Sequence, residues 1–324
     1  MIVDAVQGLT TWRPRLPQSL VSPPYENLGR PKSIPRDHSG TTFITARFRT
    51  GSTLLWNLFR HADDCVAYYE PFNERRWFDP ASRAGRIDAT HRGVQDYRRE
   101  YEGLEELGSF YRDAWVEQAL YMDEGAWDPD MKVYLDRLVA HAAPRRAVLQ
   151  CNRIDFRLPW IRRHFRGATI LHLYRHPRDQ WCSSLLTPES VPRHVTIAGF
   201  EPFDHFYLRH WARDLARHFP FLGDPDLPAY SAFYLIWRLS HAFGIHYADY
   251  SLSFEQLTGT PGRAIADLMA AAGMSPAIEP LAALVTEQAH GRWDRYAPEG
   301  WYRDQEAWCE SVLEQFADGQ TATG

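Results

Sequence analysis

The sequence predicts an α/β protein with a central, mostly parallel sheet that helices cover on both sides. Four short apolar runs have the length and flanking of buried strands, and helical patterns separate them. These runs begin at Thr41 (TTFITA), Cys65 (CVAYY), Ala147 (AVLQC) and Ala168 (ATILHLY), and a fifth strand is predicted at 250–254. Ligands of such sheets bind beyond the carboxyl ends of the strands, so the loops that follow the strands are the expected place for a site.

One large domain over 41–324 is predicted, preceded by an extended arm at 1–40. A chain of 324 residues can bury a single large core. The arm carries little periodicity and is interrupted by prolines at Pro14, Pro17, Pro23, Pro24, Pro31 and Pro35. Two aromatic-rich stretches, at about 95–143 and 200–246, are predicted to be helical insertions that form the walls of an acceptor pocket.

Charge and cysteine content limit the classes of function. The net charge of -5 disfavours a nucleic-acid binder, although residues 145–178 contain nine Arg and one Asp, a bias that suits a polyanionic ligand. Lysine occurs only at Lys32 and Lys132, so a phosphate site has to use arginine and backbone amides. Four scattered cysteines and the lack of a long apolar run predict a reduced, cytoplasmic protein without a membrane span.

The first candidate site is the turn ITARFRTGSTLL, which links the first strand to a helix. Such a turn directs free amides and the positive helix end at an anion, and Gly51 lets the main chain approach closely. We predict an anion-binding loop from Arg47 to Thr53, with Arg49 and the hydroxyls of Thr50, Ser52 and Thr53 as ligands. A kinase-type GxxxxGK[ST] loop is absent, which disfavours ATP or GTP chemistry. The alternative is that these Ser, Thr and Gly residues only cap the helix.

The second candidate site follows the strand ATILHLY, in the segment RHPRDQWCSSL. Arg175 stands at the strand end, Pro177 suits the first turn of a helix, and Ser183 comes eight positions after Arg175. An arginine at a strand tip and a hydroxyl two turns along a helix form a second clamp for a phosphate. The alternative is an arginine that merely caps the strand beside an ordinary helix.

These segments resemble the two nucleotide motifs of sulfotransferases that use 3′-phosphoadenosine 5′-phosphosulfate (PAPS). ARFRTGSTLL is similar to their 5′-phosphosulfate loop, and YRHPRDQWCSSL to their 3′-phosphate motif. SFEQL at 253–257 resembles the family's YEDL segment, and GRWDRY at 291–296 its GRWRRY segment, so the resemblance runs in family order over about 41–300. It implies a P-loop-type fold, PAPS as sulfuryl donor, 3′-phosphoadenosine 5′-phosphate (PAP) as product, and no metal.

The resemblance also implies roles for individual residues. The loop would hold the 5′ end of the donor with Arg49 at the bridging oxygen, and Arg175 and Ser183 would hold the 3′-phosphate. Arg292 and Trp293 would close over the nucleotide from the C-terminal side. Family members often carry a lysine near the third strand, where this chain reads LQCNRIDF. Asn152 or Arg153 is the candidate substitute, and the role of this strand end stays open.

Sulfuryl transfer to a hydroxyl needs a group that takes the acceptor proton, and Glu70 is the first candidate. It follows the second strand, and Glu70-Pro71 matches a glutamate-proline pair of carbohydrate sulfotransferases. The alternative is a glutamate that only pairs with Arg75 or Arg76, and Glu74 is the reserve base.

Histidines are the other possible bases, although none stands at a matching motif position. Those nearest the motifs are His61, His172 and His176. A histidine metal site is not expected, because two histidine pairs are five residues apart and lie on different helical faces: His205 with His210, and His241 with His246.

The sequence thus predicts transfer of a sulfuryl group from PAPS to a hydroxyl of a carbohydrate, glycolipid or other small alcohol, with Glu70 and Arg49 as catalytic residues. Neither the acceptor nor the oligomeric state can be read from the residues, and a homo-oligomer is possible. Two rival functions remain: a P-loop kinase or NTPase, and a catalytically inactive nucleotide-binding protein of the same fold.

Overall fold

The computed structural model describes residues 40–81, 91, 94–286 and 291–321, and its centre is a five-stranded parallel sheet. The strands lie in the order β2-β3-β1-β4-β5. They are β1 (Thr41–Ala46), β2 (Cys65–Tyr69), β3 (Arg146–Cys151), β4 (Thr169–Tyr174) and β5 (Tyr250–Ser253). Because all neighbours are parallel, the five strands end at the same side of the sheet, which we call the carboxyl edge.

Both faces of this sheet are covered. Every strand residue is buried except Arg146, which is partly exposed at the start of β3. Successive side chains of a strand point to opposite faces, so uninterrupted burial requires packing partners on both. This is why the strands read as continuous apolar runs rather than as alternating patterns.

Helices follow most of the strands and complete the outer layers. In the described parts of the chain the α-helices are α1 (Ser52–Arg60), α2 (Pro129–Ala142), α3 (Leu158–His164), α4 (Pro177–Ser184), α5 (Leu208–Leu215), α6 (Ala229–Tyr247), α7 (Phe254–Gly259), α8 (Pro261–Ala271), α9 (Ile278–Ala282) and α10 (Glu299–Thr321). None of these described helices combines the length and the apolar character that crossing a membrane requires.

The fold class expected from the sequence, a P-loop-type three-layer α/β fold, is confirmed. Each predicted strand begins and ends within one residue of an observed strand, because short buried runs between helical patterns are a strong signal. The arm expected at 1–40 lies outside the described residues except for Gly40.

The two expected insertions differ in helix content. The stretch 200–246 contains α5 and most of α6, whereas 95–143 contains three single 3₁₀ turns and then α2. In the stretch 95–143 the irregular backbone lets aromatic side chains reach the core. Tyr111 and Trp115 pack against each other and against Tyr134 of α2. These aromatic residues therefore fill the core rather than line a pocket.

Two buried histidines, one on β4 and one on α6, lie against each other in this core. The rings of His172 and His241 pack edge-on at 5.6 Å, and both ring nitrogens of His241 are buried without a hydrogen-bond partner in the described structure. Burial lowers the pKa of His172 to about 3. Burial, followed by the charges of His172 and Arg238, lowers the pKa of His241 well below its usual value. Both rings are therefore neutral in the folded protein.

These histidines should make the folded state less stable in acid. In the unfolded chain each binds a proton below about pH 6.5, whereas the folded protein keeps both neutral, so stability is full above that pH and falls below it. Each should cost about 2 kcal/mol between pH 6.5 and pH 5, from about 1.4 kcal/mol per pH unit. We expect His241→Leu to reduce this slope in urea unfolding measured across that range. The exposed His194, replaced by Gln, is the control, and an unchanged slope in His241→Leu would contradict the expectation.

Candidate active site

The turn from β1 to α1 is a tight loop with two left-handed residues. Arg49 has a φ of 66° and Gly51 a φ of 93°. A side chain at position 51 would place its Cβ 2.4 Å from the ring of Phe254, so both the backbone angle and the space require glycine there. The Thr50 hydroxyl donates to the carbonyl of Arg47 at 2.7 Å and closes the loop. The loop therefore presents the first amides of α1 to the carboxyl edge.

The two strand ends predicted to bind anions meet at this loop. The Arg49 Nε donates to the backbone oxygen of Ser183 at 3.0 Å and to its Oγ at 3.1 Å. The Arg175 Nη1 donates to the carbonyl of Arg49 at 3.2 Å. Residues that are far apart in sequence thus form one cluster, because β1 and β4 are neighbours in the sheet.

Residues after β5 support the Arg175 side of this cluster. The Arg175 guanidinium lies over the ring of Phe254 at 4.8 Å, and the backbone amide of His176 donates to Glu255 at 3.0 Å. Burial lowers the pKa of Arg175, and the charges of Asp179 and Glu255 oppose this change. The Nε of Arg175 is buried without a hydrogen-bond partner among the described residues. Such a donor suits an anionic ligand.

A cleft of about 510 Å³ opens beside the cluster. Among the described residues, its charged lining consists of three arginines and two carboxylates, Arg49, Arg175, Arg295, Asp179 and Glu189. The cleft is lined by Arg49, Gly51, Ser52, Thr53, Leu54, His91, Arg175, Asp179, Cys182, Ser183, Pro188, Glu189, Phe254, Leu284, Thr286, Arg295 and Tyr296. Six residues of the predicted donor site therefore line this cleft: Arg49, Gly51, Ser52, Thr53, Arg175 and Ser183.

The C-terminal segment forms another wall of the cleft, to which Arg295 and Tyr296 contribute. The amide of Gly291 donates to the buried Asp179 carboxylate of α4 at 3.1 Å. Trp293 packs instead under the Arg178 guanidinium at 4.7 Å and against Tyr302. Arg292 begins a short 3₁₀ turn, and its side chain lies outside the described residues.

Arg47, the first residue of the predicted anion loop, points away from this cleft. Its Nη1 pairs with the buried Asp155 at 3.1 Å, and its guanidinium lies over the ring of Trp211 at 4.5 Å. Burial lowers the pKa of Arg47, and the charge of Asp155 opposes this change. Of the two arginines in the loop, only Arg49 lines the cleft.

Glu70 lies immediately after β2 in a polar cage at the carboxyl edge. It is 6% exposed and has a φ of 41°, a left-handed conformation that non-glycine residues seldom adopt. Its Oε1 accepts from the amide of Asn152 and its Oε2 from the amide of Asn73. Burial raises the pKa of Glu70, and the Arg153 charge and the Asn73 hydrogen bond oppose this rise.

Asn152 and Arg153, whose role the sequence left open, both lie against Glu70. Gln150 donates to the side-chain oxygen of Asn152 at 2.7 Å, which orients the Asn152 amide toward Glu70. Arg153 is 2% exposed; its Nη1 lies 3.8 Å from Glu70 and its Nη2 donates to Glu74 at 2.8 Å. This strand end therefore fixes the position of the first candidate base.

Two contacts connect the Glu70 cage with the anion loop, although Glu70 itself does not line the cleft. Arg153 lies over the ring of Phe48, between the two loop arginines, at 4.9 Å. Tyr69, the residue before Glu70, contacts the Thr53 Oγ1 through its hydroxyl at 3.0 Å. The cage and the loop are therefore adjacent parts of one site.

The histidines weighed from the sequence do not line the cleft. His61 contacts the carbonyl of Asn57 through Nδ1, His172 is in the core, and His176 is partly buried at the start of α4. Among the described residues no group of three potential metal ligands is close enough to hold an ion. Among the described residues, the histidine that lines the cleft is His91, which the sequence analysis did not select because no motif surrounds it.

The fold and the cleft together define a P-loop-type α/β protein with converging arginines at two neighbouring strand ends. The model of the Sulfotransferase family matches residues 42–226, which is more than half of the chain. This protein therefore belongs to the sulfotransferase family, as the sequence motifs indicated.

Solved structures to which this chain is similar include three sulfotransferases. The sulfotransferase domain from the curacin biosynthetic pathway has 14% identity and a TM-score of 0.39, over 81% of this chain and 84% of that one. A sulfotransferase from Alicyclobacillus acidocaldarius has 17% identity and a TM-score of 0.39, over 86% and 95%. The sulfotransferase domain of the Synechococcus PCC 7002 olefin synthase has 13% identity and a TM-score of 0.39, over 88% and 98%. No curated protein matches the chain.

Proposed function

We propose that this protein transfers the sulfuryl group of PAPS to a hydroxyl of a small acceptor. The observation that carries the proposal is the convergence of Arg49, Ser183 and Arg175 in one cleft. A donor with a 3′-phosphate and a 5′-phosphosulfate needs two anion-binding groups within the length of one nucleotide. The cleft supplies them from the ends of β1 and β4.

In this proposal the loop binds one end of the donor, and the residues at the end of β4 and on α4 bind the other end. The amides of α1 and the hydroxyls of Ser52 and Thr53 bind the 5′-phosphosulfate, and Arg175 and Ser183 bind the 3′-phosphate. The Thr50 hydroxyl, expected from the sequence to be a ligand, donates instead to the buried carbonyl of Arg47. The unpartnered Nε of Arg175 supports this assignment, because a buried donor without an acceptor is costly. Arg295 and Tyr296 are C-terminal residues that line the cleft, and we assign them to the nucleoside side.

The chemical step requires a base and a group that stabilises the leaving oxygen. The acceptor oxygen attacks sulfur, the bond from sulfur to the 5′-phosphate oxygen breaks, and the acceptor proton moves to Glu70. Arg49 stabilises the negative charge that develops on the departing phosphate oxygen. The products are a sulfate ester and PAP. Burial raises the pKa of Glu70, and a base with a pKa nearer the working pH is more effective.

The proposed acceptor is a hydroxyl of a carbohydrate, a glycolipid or another small alcohol. Its support is the Glu70-Pro71 pair, which the carbohydrate sulfotransferases share, together with the placement of Glu70 beside the anion loop. We propose the cytoplasm as the location, because all four cysteines, Cys65, Cys151, Cys182 and Cys309, are free thiols.

Nucleotide-dependent melting tests the donor assignment. PAP should raise the melting temperature of the protein, and ATP with magnesium should not, because a ligand that binds only the folded state stabilises it. Arg175→Ala should weaken PAP binding roughly 10-fold or more, since it removes a charge-assisted contact of about 1.5–3 kcal/mol. Arg178→Ala, which changes an arginine of α4 outside the cleft lining, is the matched control. A larger shift with magnesium and ATP would overturn the proposal in favour of a kinase or NTPase.

A further inference from the structure

His91 stands on the wall of the cleft, in contact with the anion loop. Its Nε2 lies 3.2 Å from the Oγ1 of Thr53, the last hydroxyl of the loop. Its Nδ1 lies 2.6 Å from the hydroxyl of Tyr97. His91 and Thr53 both line the cleft, so a ligand that reaches Thr53 also reaches the imidazole.

Packing holds the imidazole in this orientation. The rings of Tyr69 and Tyr97 stack at 4.7 Å, and the His91 ring lies edge-on to Tyr97 at 5.8 Å and to Tyr69 at 6.4 Å. Tyr97 is 5% exposed and Tyr69 is 5% exposed. Two buried aromatic rings therefore fix His91, and its contact with Thr53 does not depend on a surface rotamer.

Whether the Nε2 of His91 carries a hydrogen, as it does in the imidazolium and in one neutral tautomer, decides what the Thr53 hydroxyl can do. That hydroxyl has one proton and two lone pairs, and it already contacts His91 and the hydroxyl of Tyr69 at 3.0 Å. If Nε2 is unprotonated, the Thr53 proton is drawn toward it. If Nε2 carries a proton, it donates to Thr53, and the Thr53 proton becomes available for an oxygen of a ligand. An imidazolium also adds a positive charge beside the 5′ end of the site.

We propose that protonated His91 is part of the donor site, where it orients the Thr53 hydroxyl toward the 5′-phosphosulfate and contributes charge to its binding. This inference rests on the proposed function, because it assigns the same cleft to the same class of nucleotide. Nucleotide binding then takes up a proton on His91 near neutral pH, and affinity increases as the pH falls.

The groups that face His91 are consistent with this coupling. Tyr69 stays neutral, because burial, followed by the Glu70 charge, raises its pKa well above its usual value. Tyr97 is a second titratable neighbour among the described residues. The other titratable groups in the described part of the cleft lining are Arg49, Arg175, Asp179, Cys182, Glu189, Arg295 and Tyr296. A phosphate or sulfate group at Thr53 would add a negative charge beside His91, and an opposite charge at about 4–6 Å favours the protonated form by about one to three pKa units.

Calorimetric titration with PAP tests the inference on the full-length protein. Titrations at about pH 6 and pH 8, each in two buffers of different ionisation enthalpy, give the affinity and the number of protons taken up. A phosphate group itself titrates near pH 6, so the readout is the difference between wild type and His91→Gln. Glutamine keeps a hydrogen-bonding side chain but cannot take a charge. We expect the ratio of the variant Kd to the wild-type Kd to be roughly 10-fold greater at pH 6 than at pH 8, from one unit of coupling.

His61→Gln is the matched control, because His61 lies outside the cleft lining, and it should behave as wild type. Equal proton uptake by wild type and His91→Gln would overturn the inference and leave the proposed function intact. Absence of PAP binding to wild type would overturn both. A measurement on wild type alone guards against a folding defect in the variant: NMR of ring-labelled histidine should show the protonation midpoint of His91 rising when PAP saturates the protein. An unchanged midpoint would also overturn the inference.

Discussion

Replacing Glu70 with glutamine should lower kcat by roughly 10²- to 10⁴-fold, the usual contribution of a general base. The amide keeps the shape of the side chain in the cage of Asn73 and Asn152 but cannot take the acceptor proton. Steady-state kinetics with a hydroxyl acceptor measure the effect. PAP affinity, measured in parallel, should stay within a few-fold of wild type, because Glu70 does not line the cleft.

The pH profile separates this role from a structural one. Burial raises the pKa of Glu70, and the base is active only when ionised, so kcat/KM should fall as the pH drops through that raised pKa. In Glu70→Gln this acid limb should be absent. Glu74→Gln is the matched comparison, since Glu74 pairs with the same Arg153. A large loss of kcat in Glu74→Gln together with near wild-type turnover in Glu70→Gln would transfer the base role to Glu74.

Arg49→Ala should lower kcat by roughly 10²- to 10³-fold, as does removal of one group that stabilises developing charge. The guanidinium is held by Ser183 at 3.0 and 3.1 Å, close to where the phosphate oxygen would gain charge. Single-turnover kinetics at saturating PAPS isolate the chemical step from donor binding.

Arg49→Lys is the matched variant, because it keeps the charge and loses the planar fork. It should recover part of the rate. If Arg49→Ala instead raises only the KM for PAPS and leaves the single-turnover rate unchanged, Arg49 serves in donor binding and not in the chemical step.

The sheet could be predicted almost to the residue, whereas the insertion at 95–143 could not. Strands such as CVAYY are buried on both faces, so their composition alone marks them. The segment before α2 carries many aromatic and acidic residues whose positions depend on partners elsewhere. Trp115, for example, packs on Tyr134 and Phe72 and donates to Asp128. Local periodicity does not contain that information.

The same distinction applies to the candidate site. Arg49 and Arg47 are equivalent in the motif, and only the distant Asp155 determines that Arg47 turns inward. The role of Asn152 could be predicted from the sequence once the strand order was known, because β2 and β3 are neighbours and both end at the carboxyl edge. The place of His91 in the cleft could not be predicted from the sequence, because its contact with Thr53 joins a loop residue to a helix residue and no motif surrounds His91.

The hydrogen bond between Gly291 and Asp179 means that the cleft is completed by residues beyond the stretch that the family model matches. The family match stops at residue 226, yet Phe254, Leu284, Thr286, Arg295 and Tyr296 all face the cleft. A polypeptide ending at 226 would lack α6, β5 and this wall of the cleft, together with the SFEQL and GRWDRY segments.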